Sequence, residues 1–177
     1  DARKREAEAR ERLGEVRSEL GSLRKLDERL ADASPMAARI AHDHAGTVDA
    51  RLGDLIEAPK DLEGLVEQLL GGDIDALVMG SASATLEAGS SALAADGVAG
   101  EATLISRDAR AATVTGAAGK RLIELLQVRD GYADVVASML GNVHLVDSLE
   151  EALSAPAVPG VLYVARDGAR VRDGGVV

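Results

Sequence analysis

Arg51-Leu-Gly-Asp-Leu-Ile-Glu-Ala-Pro-Lys-Asp-Leu-Glu-Gly-Leu-Val-Glu-Gln-Leu-Leu-Gly71 aligns without a gap on Arg121-Leu-Ile-Glu-Leu-Leu-Gln-Val-Arg-Asp-Gly-Tyr-Ala-Asp-Val-Val-Ala-Ser-Met-Leu-Gly141. Arg51/Arg121, Leu52/Leu122, Leu55/Leu125, Val66/Val136, Leu70/Leu140 and Gly71/Gly141 are identical, and Asp54/Glu124, Ile56/Leu126 and Leu65/Val135 are close in chemistry. Self-similarity at a fixed spacing is the mark of a duplicated structural unit. Each copy opens on a short apolar run, Leu52 to Ala58 or Leu122 to Val128, suited to a helical turn or a strand. A turn comes next, at Pro59-Lys60-Asp61 or Arg129-Asp130-Gly131. Leu62, Leu65, Val66, Leu69 and Leu70, and in the second copy Tyr132, Val135, Val136, Met139 and Leu140, then recur at i, i+3, i+4, i+7, i+8. That spacing lines one face of a helix. Gly71 and Gly141 stand where a left-handed C-terminal cap is expected.

Outward from the repeat, each copy continues into an apolar strand, Ala76 to Met79 or Val143 to Val146. A further helix is expected around Leu86 or from Leu149 to Leu153, and a closing strand at Ala102 to Ile105 or Val161 to Val164. Strands alternating with helices predict an α/β (α+β) fold of two pseudo-repeated lobes.

Ahead of the repeat, Ala2, Ala9, Val16, Leu23 and Leu30 recur every seven residues, with Leu13 and Leu20 in the second seam position. Glu6 and Asp27 interrupt that second seam. A narrow apolar stripe on a highly charged surface predicts a coiled-coil helix in need of a partner. Glu6–Arg10 and Glu8–Arg12 add favourable i,i+4 pairs, each contributing about 0.2–0.5 kcal/mol. Ser34-Pro35 ends this pattern and restarts another helix, with Ser34 as N-cap and Pro35 at the first helical position, running to about His42.

The 177 residues suffice for one sizeable domain or two small lobes sharing a core. Tyr132 and Tyr163 are the only aromatics, so the core is aliphatic. With no cysteine, disulfides and thiolate metal sites are excluded. No apolar run approaches the roughly 18 residues of a membrane span, and the charged N-terminus does not read as a signal peptide. The net charge of −10 divides into zero over residues 1–32, −8 over 33–110 and −2 over 111–177. Such an acidic body argues against broad, tight duplex DNA binding, which depends on phosphate neutralisation.

Gly116-Ala-Ala-Gly-Lys-Arg121 has the wrong glycine spacing for a phosphate loop, and Arg121 stands where a Ser or Thr must reach Mg²⁺. It reads as a flexible connector. His42-Asp43-His44 reads as a solvated helix end, since residues two apart do not share a helix face. His144, in an apolar strand, reads as a packed or edge histidine. No nucleophile stands beside a histidine in a recognisable motif, so no catalytic residue, metal or cofactor is expected.

Tyr132 to Leu153, with its Leu140-Gly-Asn-Val-His-Leu-Val-Asp-Ser-Leu-Glu-Glu-Ala-Leu153 core, resembles the "LLGN-x-LVVDDLEEAL" stretch of the SMC (structural maintenance of chromosomes) hinge, bacterial condensin type. Arg166-Asp-Gly-Ala-Arg-Val-Arg-Asp-Gly-Gly-Val176 is similar to that family's "LDGDLVRPGGV" stretch. Residues 52–78 resemble the first hinge half more loosely. The resemblance implies a homodimerisation domain in which sheet edges from opposite halves of two copies meet. It places Gly174 and Gly175 on the first pair of the family's GG-x-x-x-GG motif, and with them Gly168, Val171 and Val176 at the dimer interface. It further implies DNA contact near the coil junction, for which Arg166, Arg170, Arg172, Lys120 and Arg121 are the basic candidates. Arg170 and Arg172 alternate along an extended segment and are expected to share a face.

The organisation so implied is a coiled-coil arm over 1–33, a connecting helix over 34–45, a first hinge lobe over 46–110, a linker over 111–119 and a second lobe over 120–177. The expected setting is a bacterial cytoplasm, at the nucleoid. ATPase heads, with kleisin and accessory subunits on them, are expected outside this chain. Three departures from the family pattern stand out. The chain stops at Val177, before the second glycine pair and the returning coil helix; Asp173 stands where proline is usual; and Ser81 to Gly100 is unusually rich in Ala, Gly and Ser. A rival reading from another class is a small-molecule-binding α/β regulatory domain on a signalling coiled coil, since open α/β sheets offer crevices at strand ends.

Overall fold

The structure is a computed structural model, and it describes Arg12 and residues 34–94, 100–111 and 114–177. The coiled-coil expectation for 1–33 falls, Arg12 aside, outside the described residues. The first described element, α1 (Pro35–Asp43), begins as its sequence predicts: Ser34 Oγ accepts the Ala37 N–H at 3.3 Å, and Pro35 occupies the first turn. Ala37 and Ile40 give it a buried face.

The two halves then repeat one order of elements. The first runs β1 (Val48–Arg51), a 3₁₀ turn (Leu52–Leu55), β2 (Ile56–Glu57), α2 (Glu63–Leu70), a 3₁₀ turn without counterpart in the second half (Gly71–Asp75), β3 (Leu77–Met79), α3 (Ala82–Ala94) and β4 (Leu104–Ser106). The second runs β5 (Lys120–Arg121), a 3₁₀ turn (Leu122–Leu125), β6 (Gln127–Val128), α4 (Ala133–Leu140), β7 (Val143–Val146), α5 (Leu149–Ser154) and β8 (Leu162–Ala165). Two strands without counterparts in the first half come last, β9 (Arg170–Arg172) and β10 (Gly175–Val176).

The sheets carry the same signature. In one, β1 lies antiparallel to β3 and β4 parallel to it; in the other, β5 and β8 flank β7 in the same senses. The strand orders are β1-β3-β4 and β10-β9-β8-β7-β5. The duplicated apolar runs meet each other: β2 and β6 pair antiparallel, with Ile56 opposite Val128 and Glu57 opposite Gln127. Arg129 N–H donates to the Leu55 carbonyl at 3.0 Å in the same register. Glu57 and Gln127 are equivalent positions of the duplication, so a local two-fold axis passes between them.

One aliphatic core joins the halves. Leu52, Leu55, Val66, Leu70 and Val78 of the first pack with Leu122, Leu126, Val135, Val136, Leu145 and Val164 of the second. The repeated arginine-to-apolar start has a structural role in the first copy. Arg51 pairs with Asp75 at 2.6 Å and Asp54 at 3.0 Å. Burial alone would lower the Arg51 guanidinium, but hydrogen bonds and charge from Asp54 and Asp75 outweigh it and hold the pKa above its ordinary value.

Two expectations are refined. Neither glycine adopts the left-handed cap: Gly71 has a positive φ (+52°) but ψ −126°, and Gly141 has φ −65°. Its requirement is space, because a Cβ there would collide with the Ala137 carbonyl. The segment expected as a flexible connector is fastened down. Val114, Ala117 and Ala118 pack beside Val146 and Tyr163, and Ala118 is held by two side chains. His144 Nδ1–H donates to the Ala118 carbonyl at 2.9 Å, while the Ala118 N–H donates to Tyr163 Oη at 3.4 Å. His144 itself is buried, and the Tyr163 hydroxyl donates in turn to the Pro156 carbonyl at 2.8 Å.

Candidate functional site

The last twelve residues build a hairpin on the outer edge of β8. Gly168, at φ +90°, closes the turn from β8 into β9. Asp173 (φ +51°) and Gly174 (φ +77°) form the two-residue loop between Arg172 and its partner Gly175. Two consecutive positive φ values are those of a type I′ hairpin turn, and Asp-Gly is a sequence that favours it. Proline, fixed near −65°, cannot occupy position 173 of this turn. Here lies the physical content of the departure at Asp173. The hairpin ends with Val176 opposite Val171, and Val177 N–H donates to the Arg170 carbonyl at 3.0 Å.

Of the residues assigned to a dimer contact, Gly174, Gly175 and Val176 lie on this outermost, exposed strand and its turn. Gly168 is half-buried at the other end of the hairpin, where a Cβ would stand 3.5 Å from Gln68 Oε1. Val171 is placed differently from the other four. Its side chain is 1% exposed within the chain's own core, and its backbone is paired to β8 and β10. A strand hydrogen-bonded on both sides has no edge to offer, so Val171 supports the hairpin from inside.

The basic candidates do not converge. Arg170 and Arg172 do share one face of β9, opposite Val171, but Arg170 Nη2–H donates to the Gln68 carbonyl at 3.1 Å. Gln68 lies near the C-terminus of α2, where a cation complements the free carbonyls and the helix dipole. Arg166 is paired with Asp147 at 3.2 Å and lies 3.9 Å from Asp61. Arg121 is half-buried and donates from Nε to the Gly141 carbonyl at 3.2 Å. Lys120 and Arg172 are exposed without a carboxylate partner among the described residues. Lys120 and Arg166 border a cleft of about 400 Å³ that Asp147 and Glu151 also line, so its charge is mixed.

The opposite edge, that of β4, carries no local sequence motif. Leu77 N–H donates to the Thr103 carbonyl and Arg107 N–H to the Met79 carbonyl. Alternation therefore turns the backbone groups of Leu104 and Ser106 outward, away from β3. No strand covers them among the described residues. In the second half the equivalent edge of β8 is covered by β9 and β10. The signal was present: nothing between Ser106 and Gly119 repeats the strand and Asp-Gly turn of residues 166–177.

His42 is exposed in the last turn of α1 and the half-buried His44 caps it, and among the described residues no three His, Asp or Glu side chains are grouped to hold a metal ion. No described helix is long and apolar enough to cross a membrane.

A family model described as "SMC proteins Flexible Hinge Domain" matches residues 45–155. The chain is similar to the solved asymmetric dimer of the Geobacillus stearothermophilus SMC hinge domain, with a TM-score of 0.64 and 23% identity over 91% of this chain and 71% of that one. It is also similar to the Pyrococcus furiosus SMC protein hinge domain, with a TM-score of 0.65 and 18% identity over 86% and 84% of the two chains. A Pyrococcus furiosus Smc hinge domain with an extended coiled coil gives 0.60 and 19%, over 93% and 68%. No curated protein matches the chain. At these identities the structural likeness establishes the fold.

Proposed function

The chain belongs to the family of SMC flexible hinge domains, and we propose that it joins two SMC chains by homodimerisation. One observation carries this reading. Among the described residues, the first half leaves the edge of β4 open where the second half has added β9 and β10 to the same position. An exposed strand edge is a template for another strand, and strand addition satisfies its backbone groups. The complementary strand is β10 of a second copy, itself the outer edge of its sheet. Two copies, each offering one β4 and one β10, make two such contacts and close a two-fold body. The Geobacillus relative, solved as a dimer, supports the same reading.

In this proposal the hinge carries no catalysis. It links coiled-coil arms whose distant ATPase heads, with kleisin and accessory subunits, embrace DNA during bacterial chromosome condensation and segregation. DNA contact at the hinge is a secondary part of the proposal. It rests on Lys120 and Arg172, because Arg166, Arg170 and Arg121 are engaged within the chain.

Dimerisation is tested by sedimentation equilibrium of the chain and of a Gly174→Glu, Gly175→Glu variant. The expected result is a dimer for the first and a monomer for the second. An equally tight dimer in the variant would exclude the β10 edge from the contact.

A further inference from the structure

In the second half, α5 covers more than the strands of the repeat. Ala152 of α5 and Val171 of β9 share one buried cluster with Val161 and Tyr163, so the helix lies over the strand added outside β8. In the first half, α3 lies over β3 and β4 in the same way, and among the described residues nothing lies beyond β4.

The side of α3 that overhangs this vacant position can be identified. A Cβ on Gly89 would stand 3.8 Å from Leu104 Cδ1, so the Gly89 side faces β4. Ala88 and Ala92 instead pack in one cluster with Met36 and Ile40 of α1. Helical periodicity, about 100° per residue, carries Leu86 and Leu93 roughly 40–60° past Gly89, away from α1. They are 72% and 92% exposed, the largest apolar side chains that α3 leaves in water. Seven residues apart, they span about 10 Å along the helix. Glu87 lies on the other side of the helix, which leaves the overhang uncharged.

The same chain carries a strand with the opposite deficiency. Val176 pairs with Val171, so the two share the sheet face that α5 covers. α5 reaches β9 but leaves Val176 62% exposed, and Val177 is 69% exposed. A helix without its outer strand and a strand without its covering helix lie at separate ends of one molecule.

We propose that Leu86 and Leu93 form a docking surface for Val176 of a second copy, clamping the added strand from above as α5 clamps β9. The inference rests on the dimer reading and adds a side-chain contact to its backbone pairing. It also gives the length of α3, thirteen residues against six in α5, a purpose. An exposed apolar stripe in an Ala- and Ser-rich helix covers a partner.

The test uses the absence of native cysteine. A Leu93→Cys chain and a Val176→Cys chain are mixed under mild oxidation, so that a disulfide between positions 93 and 176 must join two molecules. In parallel, the dissociation constant of the Leu86→Ser, Leu93→Ser variant is measured by sedimentation, with monomer unfolding as the folding control. The expected results are a 93–176 crosslink and a dissociation constant raised by about tenfold or more, with unchanged monomer unfolding. Unchanged dimer affinity without that crosslink, in a chain that still dimerises, would overturn the overhang and leave the strand contact standing. A native chain that is monomeric throughout would overturn both.

Discussion

Asp173→Pro separates the hairpin from the rest of the fold. The native loop holds Asp173 at φ +51° and Gly174 at +77°, whereas proline is confined near −65°, so the type I′ turn cannot form. The variant loses the Arg172–Gly175 and Val171–Val176 pairing and the bond from Val177 N–H to the Arg170 carbonyl. A net backbone hydrogen bond contributes about 0.5–1.5 kcal/mol. Val176 and Val177 are mostly exposed, so little apolar burial adds to this. The intramolecular loss is therefore about 1–3 kcal/mol, and much of it is local release of β10. The unfolding midpoint is expected to fall by only a few degrees. Amide exchange at Val177 becomes unprotected, and dimerisation falls sharply because β10 no longer presents an ordered edge. Asp173→Gly is the control: it accepts the positive φ and keeps the hairpin. Persistent protection of Val177 N–H in the proline variant would show that the turn does not hold β10 in place. An undiminished dimer would show that an ordered β10 edge is not needed for association.

Val171→Ala is expected to cost about 1–3 kcal/mol in denaturant unfolding, since the side chain is fully buried in the chain's own core. Tyr163→Phe removes a hydroxyl that donates to Pro156 and accepts from Ala118. It should lower stability by about 1 kcal/mol, with faster exchange of the Ala118 amide. Arg51→Ala leaves Asp75 and Asp54 without their cation; chemical denaturation should report a loss of about 1–3 kcal/mol, larger than for any single exposed pair. For DNA, fluorescence anisotropy at low salt should show weak binding reduced by Lys120→Glu with Arg172→Glu. No change there would remove DNA contact from the proposal.

Most of the repeat was legible in sequence because its signals are local. The gapless Arg51–Gly71 and Arg121–Gly141 match revealed both amphipathic helices, and Ser34-Pro35 marked the start of α1. Local signals do not carry the long-range pairing. The antiparallel contact of β2 with β6 involves four residues separated by some seventy positions, and no periodicity announces it. The covering of β9 around Val171 is not legible for a related reason. Its segment alternates charge and valine as an edge strand would, and only the type I′ turn at Asp173-Gly174 shows that the chain itself covers that edge. The basic candidates scattered because sequence counts charges but not partners: Gln68, Asp147 and Gly141 occupy three of the five arginine and lysine side chains. The open edge of β4 became visible only when the residues after β4 were set beside those after β8.

Two copies of this chain are proposed to join through their hinge edges, and the roles of β4, β10 and α3 depend on that association. It is measured by sedimentation equilibrium of the native chain, from low micromolar to high micromolar concentration at moderate salt. A dimer is expected over most of that range, with dissociation only at the lowest concentrations. A monomer at every concentration would contradict the proposal.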